Sequence, residues 1–174
     1  ANSGLSNLRT SVEALPRFRD QKNVELFTKH KVFTAIETYT RTDIFLESYN
    51  KTINIEAQTA VTMLRREILP SVMLYSGEIC NIVAKKKSAG IPAKAETALA
   101  IKLDELTAKL SEQTESVENA LASAHSYTSL EEAALHYRDE VLAAMNDART
   151  TADELETIVS EKYWPFPTYA DLLF

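Results

Sequence analysis

The chain has 174 residues, 45% of them apolar and 25% charged, with a formal net charge of −6. This length suits one domain with a core of its own, and the composition is that of neither a disordered chain nor a membrane protein. The acidic balance argues against nucleic acid as the main partner, because binding a polyphosphate draws on surplus Lys and Arg. Three glycines and five prolines are too few for the turns of a sheet protein, so long helices are the expectation.

Two short helices are expected within residues 1–33. The first covers residues 5–14 and ends before Leu15-Pro16, because a residue preceding proline is pushed away from the helical region. The second runs from Asp20, an N-cap, to Lys29-His30. Thr34 and Glu37 then have the spacing of a capping box, with Phe33 placed to staple the helix entry.

A third helix covers residues 34–88, about 80 Å if unbroken. Pro70 interrupts it; a mid-helix proline costs about 3 kcal/mol and kinks or breaks the rod. Lys85-Lys86-Lys87, the one basic cluster, reads as the last turn, where cations complement the helix dipole. Ser88-Ala89-Gly90-Ile91-Pro92 is the stop, with Gly90 for a left-handed cap and Pro92 to open the next helix.

The fourth helix, 93–124, carries Leu99, Leu103, Leu106, Leu110, Gln113, Val117, Ala120 and Ala124 at heptad spacing. Ser129 and Glu132 start the fifth, 129–163, whose seam is Leu130, Ala134, Tyr137, Val141, Ala144, Ala148, Thr151, Leu155 and Ile158. The short connections at 88–92 and 125–129 force antiparallel neighbours. The expected fold is therefore all-α, one antiparallel up-down helical bundle with very long helices and coiled-coil-like seams. The first third of the third helix overhangs this bundle and receives the two short helices. The tail, 164–174, falls at the opposite end, near the lysines.

The overhang is polar. Asp43 and Asn50 share a face with Ile36, Tyr39, Leu46, Ile53 and Ala57, and Glu47, Lys51 and Glu56 lie close by in sequence. Polar groups in a seam cost stability unless paired, so they point to register control or to contact with something outside the bundle. The tail "WPFPTYADLLF" is too apolar to stay in water, and Trp164, Phe166, Tyr169, Leu172 and Phe174 are its candidate anchors.

Catalytic signals are absent. No phosphate-cradling glycine loop exists, and the paired Glu-x-x-His motifs of a two-metal bundle are missing. Glu132 and His136 read as a surface pair, while His30, His125 and Cys80 have no activating partner in sequence. Tyr39, Tyr49, Met63, Met73 and Tyr75 fall at helical spacing and read as core or interface. The catalytic, cofactor-binding and metal-ligand assignments are therefore all empty. Cys80, the single cysteine, excludes an internal disulfide and fits a reducing compartment. No apolar run approaches the ~20 residues of a membrane span and no signal peptide is visible, so a cytoplasmic location is expected. The Ala-Asn-Ser-Gly opening suggests a processed start, and the other end reads as a natural C-terminus.

Four stretches, "ELFTKHKVFT" (25–34), "KTINIEA" (51–57), "REILPSV" (66–72) and "WPFPTYADLLF" (164–174), resemble the C-terminal region of type III glutamine synthetases in order and spacing. The tail is the most specific of them; Ala170 departs from the glycine expected in many members. The resemblance implies a parent enzyme that joins ammonia to glutamate at the expense of ATP with a divalent metal, Mg or Mn. It places the metal-binding carboxylates and phosphate-binding arginines in upstream β-grasp and catalytic domains, so this fragment is expected to have no activity. It also implies partners: the upstream catalytic domain and neighbouring subunits of a ring oligomer. The competing readings are a free-standing helical-bundle adaptor or sensor, and an enzyme in its own right built on the polar cluster from Asp43 to Glu56.

Overall fold

The computed structural model describes residues 6–167 and Asp171. Among the described residues there is no strand. The helices are α1 (Ser11–Ala14), α2 (Gln21–Lys29), α3 (Ala35–Met63), α4 (Leu69–Ser88), α5 (Lys94–Ala124), α6 (Leu130–His136) and α7 (Leu142–Ile158).

Local hydrogen bonding accounts for most of the boundaries. α1 starts later than expected because Thr10 caps it, its hydroxyl accepting from the Glu13 N–H at 3.3 Å. Leu15 stays helical (φ −60, ψ −44), and the 3-10 turn Leu15–Arg19 takes Pro16 into its first turn, where no N–H is required. The capping box forms in both directions: Glu37 N–H donates to Thr34 Oγ1 at 3.2 Å and Thr34 N–H to Glu37 Oε2 at 2.7 Å. The Thr34 N–H and hydroxyl, both donating to Glu37 Oε2, hold that carboxyl below its ordinary pKa. The Phe33 ring packs edge-on against Phe27 at 5.8 Å, and the guanidinium of Arg41, on α3, lies 4.6 Å from its centroid.

Pro70 neither ends nor divides the long helix, whose helical backbone runs for 54 residues from Ala35 to Ser88. A π-turn, Leu64–Ile68, precedes the proline, with the Leu69 N–H bonded to the Leu64 carbonyl. Widening the turn relieves the clash between the ring and the carbonyl four residues earlier, and Pro70 then sits in the first turn of α4. A second π-turn, Tyr137–Val141, joins α6 to α7.

α4 ends as the sequence indicates. Gly90 adopts φ 78, Ile91 N–H donates to Lys86 O at 2.9 Å and Gly90 N–H to Lys87 O at 3.0 Å. Pro92, however, does not open α5: Ala93 follows at φ 49, and the helix starts at Lys94.

The chain forms two compact units. One takes in residues up to Glu56 together with Leu121–Leu142; the other takes in Ala57–Ala120 and the residues from Ala143 onward. In the first unit, Val12 of α1, Leu46 of α3 and Ala134 of α6 form a small core, with Leu15, Tyr49 and Leu130 packed against it. Of the two short N-terminal helices, α1 thus packs against α3 and α6. Asn50 pairs with Leu130 and Asn54 with Tyr137, so α3 and α6 run parallel here.

In the second unit the pairings run in opposite directions along the chain. Arg65 bonds Glu118 at 2.7 Å, Lys86 pairs with Glu96, and Lys102 pairs with Glu154 at 2.9 Å. These link α5 to the long helix before it and to α7 after it, each time antiparallel, giving the up-down-up arrangement.

Three seams differ from the heptad reading; the last helix departs at its end, where Val159 is buried and Ile158 only half-buried. On α5 the buried positions are Thr114 and Leu121, not Gln113 and Ala120. A 3.6-residue helix drifts against a 3.5-residue repeat, so the buried stripe steps sideways by one residue. On α3 the buried face is Thr38, Thr42, Leu46, Asn50, Ile53 and Ala57, whereas Ile36 is 79% exposed and Tyr39 is also exposed. The threonines tolerate burial because each hydroxyl donates to a carbonyl four residues back, Thr38 to Thr34 at 3.0 Å and Thr42 to Thr38 at 2.9 Å.

Candidate functional site

The five residues of the polar overhang do not converge. Asn50 alone is buried, its Nδ2 donating to the Leu130 carbonyl at 3.1 Å while its Oδ1 is buried without a partner. Glu47 and Lys51 pair with each other on the exposed side at 2.7 Å, and Glu56 is exposed. Asp43 is exposed too and pairs with Arg19.

Arg19 is the residue that sequence reasoning missed. Its guanidinium reaches Asp43, the Tyr39 carbonyl (3.3 Å) and Glu131 of α6 (3.3 Å), and lies 5.6 Å from the Tyr39 ring centroid. It thereby ties the 3-10 turn after α1 to both α3 and α6. Arg138 adds a second tie, bonding Glu13 of α1 at 3.4 Å and Asp139 at 2.6 Å. The bond to Asp139 raises the Arg138 pKa and lowers that of Asp139. Nothing local marks Arg19, since its acceptors lie 20 or more residues away; Arg138 has a local acceptor in Asp139, but its tie to Glu13 spans 125 residues. The cluster is a set of fasteners rather than a pocket with groups aimed at a reacting atom.

In the second unit the tail begins by folding back on α4. The Tyr163 ring lies 5.5 Å from that of Tyr75, and its hydroxyl donates to Glu78, a bond that pushes the phenol pKa up. Tyr163 is thus the anchor that the structure records, about two turns before the lysines. Trp164 and Phe166 are half-buried beyond it. Tyr169, Leu172 and Phe174 lie outside the described residues.

The remaining reactive side chains stand apart. His30 caps the end of α2, His125 is exposed in the turn after α5, and Cys80 is exposed on α4. His136 stacks on Tyr127, with 3.4 Å between Nδ1 and the hydroxyl. Among the described residues no group of three His, Cys, Asp or Glu is placed to hold a metal ion. No helix among them is long and apolar enough to cross a membrane.

Glu118 offers a pH-dependent test of the antiparallel pairing. The Arg65 guanidinium bonds both of its oxygens and holds its pKa below the ordinary carboxylate value. A depressed folded-state pKa stabilises above the unfolded value of about 4.3, and that contribution disappears as pH falls through the folded-state value. Both side chains are partly exposed, so Glu118→Gln is expected to cost no more than about 1 kcal/mol at neutral pH. Chemical denaturation at neutral and at strongly acidic pH checks this: the difference from the parent chain should vanish in acid.

Comparison with known proteins gives a consistent result. The glutamine synthetase C-terminal domain family matches residues 1–87. A glutamine synthetase of Butyrivibrio fibrisolvens is 32% identical over 100% of this chain and 25% of its own length. A type-3 glutamine synthetase of Dictyostelium discoideum is 28% identical over 98% of this chain and 24% of its own length. A glutamine synthetase of Bacteroides fragilis is 23% identical over 100% of this chain and 25% of its own length. The chain therefore spans about a quarter of the length of these relatives, the C-terminal quarter.

Proposed function

Because this chain belongs to the glutamine synthetase C-terminal domain family, we propose that it is the non-catalytic helical end of a type III glutamine synthetase. The parent enzyme makes glutamine from glutamate, ammonia and ATP in the cytoplasm. This region packs against an upstream catalytic domain and supports the assembly or regulation of a ring of subunits. The observation that carries the reading is the match over the full length of this chain to only a quarter of each relative.

The side chains are consistent with a supporting role. The polar residues of the overhang are spent on ties between helices or face water, and no cluster among the described residues fits a divalent metal. ATP and Mg or Mn are assigned to the rest of the parent polypeptide because the family resemblance places their ligands upstream of this region. Trp164, Phe166, Tyr169, Leu172 and Phe174 are proposed to bury themselves against that body, large aromatics being the usual carriers of interface energy.

The test is glutamine formation from glutamate, ammonia and ATP by the full-length polypeptide, by a version truncated before Trp164, and by this chain alone. The full-length form is expected to be active and the isolated chain inert. The truncated form is expected to lose oligomeric mass or thermal stability. Turnover by the isolated chain, or a reading frame with no synthetase domain in it, would refute the proposal.

A further inference from the structure

Exposed apolar side chains are unevenly shared between the two units. Among the described residues, the large ones of the second unit are Met73, Leu74, Ile91 and Ile101; the other eleven belong to the first, the smaller of the two. The outer face of α3 shows what this means. Arg41, Ile44, Phe45, Ser48 and Thr52 lie along it at helical spacing, all exposed, and Arg41 is the one charge among them. On α5 the exposed positions Glu105, Lys109 and Glu112, spaced in the same way, are all charged, as a solvated helix face normally is.

Three aromatic rings extend this face. Phe18 stacks on Phe27 with 6.1 Å between centroids, Phe27 meets Phe33 at 5.8 Å, and the Arg41 guanidinium caps Phe33. None of the three belongs to the small core around Leu46. Phe18 is 41%, Ile44 55% and Phe45 48% exposed. The turn bearing Phe33 is fixed by Lys31 N–H donating to Thr28 O at 3.1 Å and Val32 N–H to Phe27 O at 2.9 Å, so the ridge is formed before anything binds to it. Arg41 forms no ion pair among the described residues. Glu37, one turn earlier, is turned to Thr34, whose N–H and hydroxyl both donate to it. An arginine stacked on an aromatic ring, its fork unspent and large apolar side chains beside it, has the make-up of an interface centre.

We infer that this ridge, Phe18, Phe27, Phe33, Arg41, Ile44 and Phe45, is where the first unit docks on the upstream body of the parent polypeptide, with Arg41 pairing with a carboxylate of that body. The inference rests on the synthetase reading above. Three observations select this occupant. The relatives carry about three quarters of their length before the region matched here, so a large body lies outside the structure. The ridge falls within residues 1–87, which the family model matches, whereas the charged outer face of α5 falls outside them. The ridge is also locally basic: residues 17–45 carry six Lys and Arg against four Asp and Glu, in a chain whose net charge is −6. A second copy of this ridge would bring like charge to it, while an acidic surface complements it.

Cysteine labelling tests this in a Cys80→Ser background, with circular dichroism reporting the fold. Ile44→Cys is expected to react freely in the 174-residue chain and to be shielded in the full-length polypeptide. Glu112→Cys, exposed on α5, is expected to react in both. Adding Arg41→Glu should restore labelling of Ile44→Cys in the full-length polypeptide with helical content unchanged, because the carboxylate opposite then meets like charge. A merely local role for Arg41 would leave the shielding as it was. Equal labelling of Ile44→Cys in the two forms, shielding that Arg41→Glu does not relieve, or the same shielding at Glu112→Cys would overturn the proposal. The synthetase reading would survive each of these results, since it is read by glutamine formation. Shielding that grows with the concentration of the 174-residue chain would assign the ridge to a second copy and overturn the proposal as well. A reading frame with no upstream body would overturn both.

Discussion

Leu46→Ala is expected to destabilise the first unit by about 3 kcal/mol or more, in the upper part of the range for emptying a buried leucine site. Leu46 is fully buried and sits between Val12 of α1 and Ala134 of α6. Those neighbours are short, and Ala134 has only a methyl to offer, so little can move into the space. The cost is accordingly the lost transfer free energy plus a cavity that persists. Urea unfolding measures the total, and amide exchange locates it: α1 and the start of α6 should lose protection first, because Leu46 is their shared contact. Ile36→Ala is the matched comparison. The two residues sit on one face by simple periodicity, yet Ile36 is 79% exposed, and its truncation should stay within about 0.5 kcal/mol. Equal effects at the two positions would mean that α3 is rotated from the orientation described.

Asn50→Asp should do comparable damage, about 3 kcal/mol at neutral pH, by placing an unpaired charge in a buried position. The Asn50 amide nitrogen donates to the Leu130 carbonyl. A carboxylate there would face that carbonyl with no proton between them, and Lys51 is already paired with Glu47 on the exposed side. Burial without a cation raises the folded-state pKa of the new Asp above its unfolded value of about 3.9. The penalty is therefore present above the folded-state pKa and recedes as pH falls through it, when the protonated acid can donate to Leu130 as the amide did. Stability measured against pH should show the variant converging on the parent in acid, the reverse of an ordinary acid denaturation. A pH-independent loss would show that the position is more open to water than the structure indicates. Asn50→Leu, which also removes the buried Oδ1 that lacks a partner, should be milder, about 1 kcal/mol, since it loses the bond to the Leu130 carbonyl but buries no charge.

Elements whose signals are local were legible in the sequence. The Thr34–Glu37 box, the Ser129 cap and the Gly90 stop each depend on hydrogen bonds among residues within a few positions of one another, and all three are present. The alternation of Leu and Ala along α5 and α7 carried the antiparallel seams for the same reason, because helical periodicity is a property of neighbours in sequence. The candidate site was legible only as a polar region. Which of its members is buried depends on the rotation of α3, and the two buried threonines that set that rotation do not register in a pattern that counts apolar residues. The tail was recognised as apolar, but its recorded anchor, Tyr163, lies one residue before the stretch that attracted attention.

By itself, then, the amino-acid order determined an all-helical chain, its caps and seams, and the family to which it belongs. Only the tertiary structure decided that Arg19 and Arg138 fasten the N-terminal turns, that π-turns carry the helices past Pro70 and Tyr137, and that Met73 and Leu74 of α4 are exposed. The physical reason is range. Caps and periodic faces are settled by interactions a few residues long, whereas an ion pair between residues 19 and 131, or a bare helix face, exists only once distant segments have or have not been brought together.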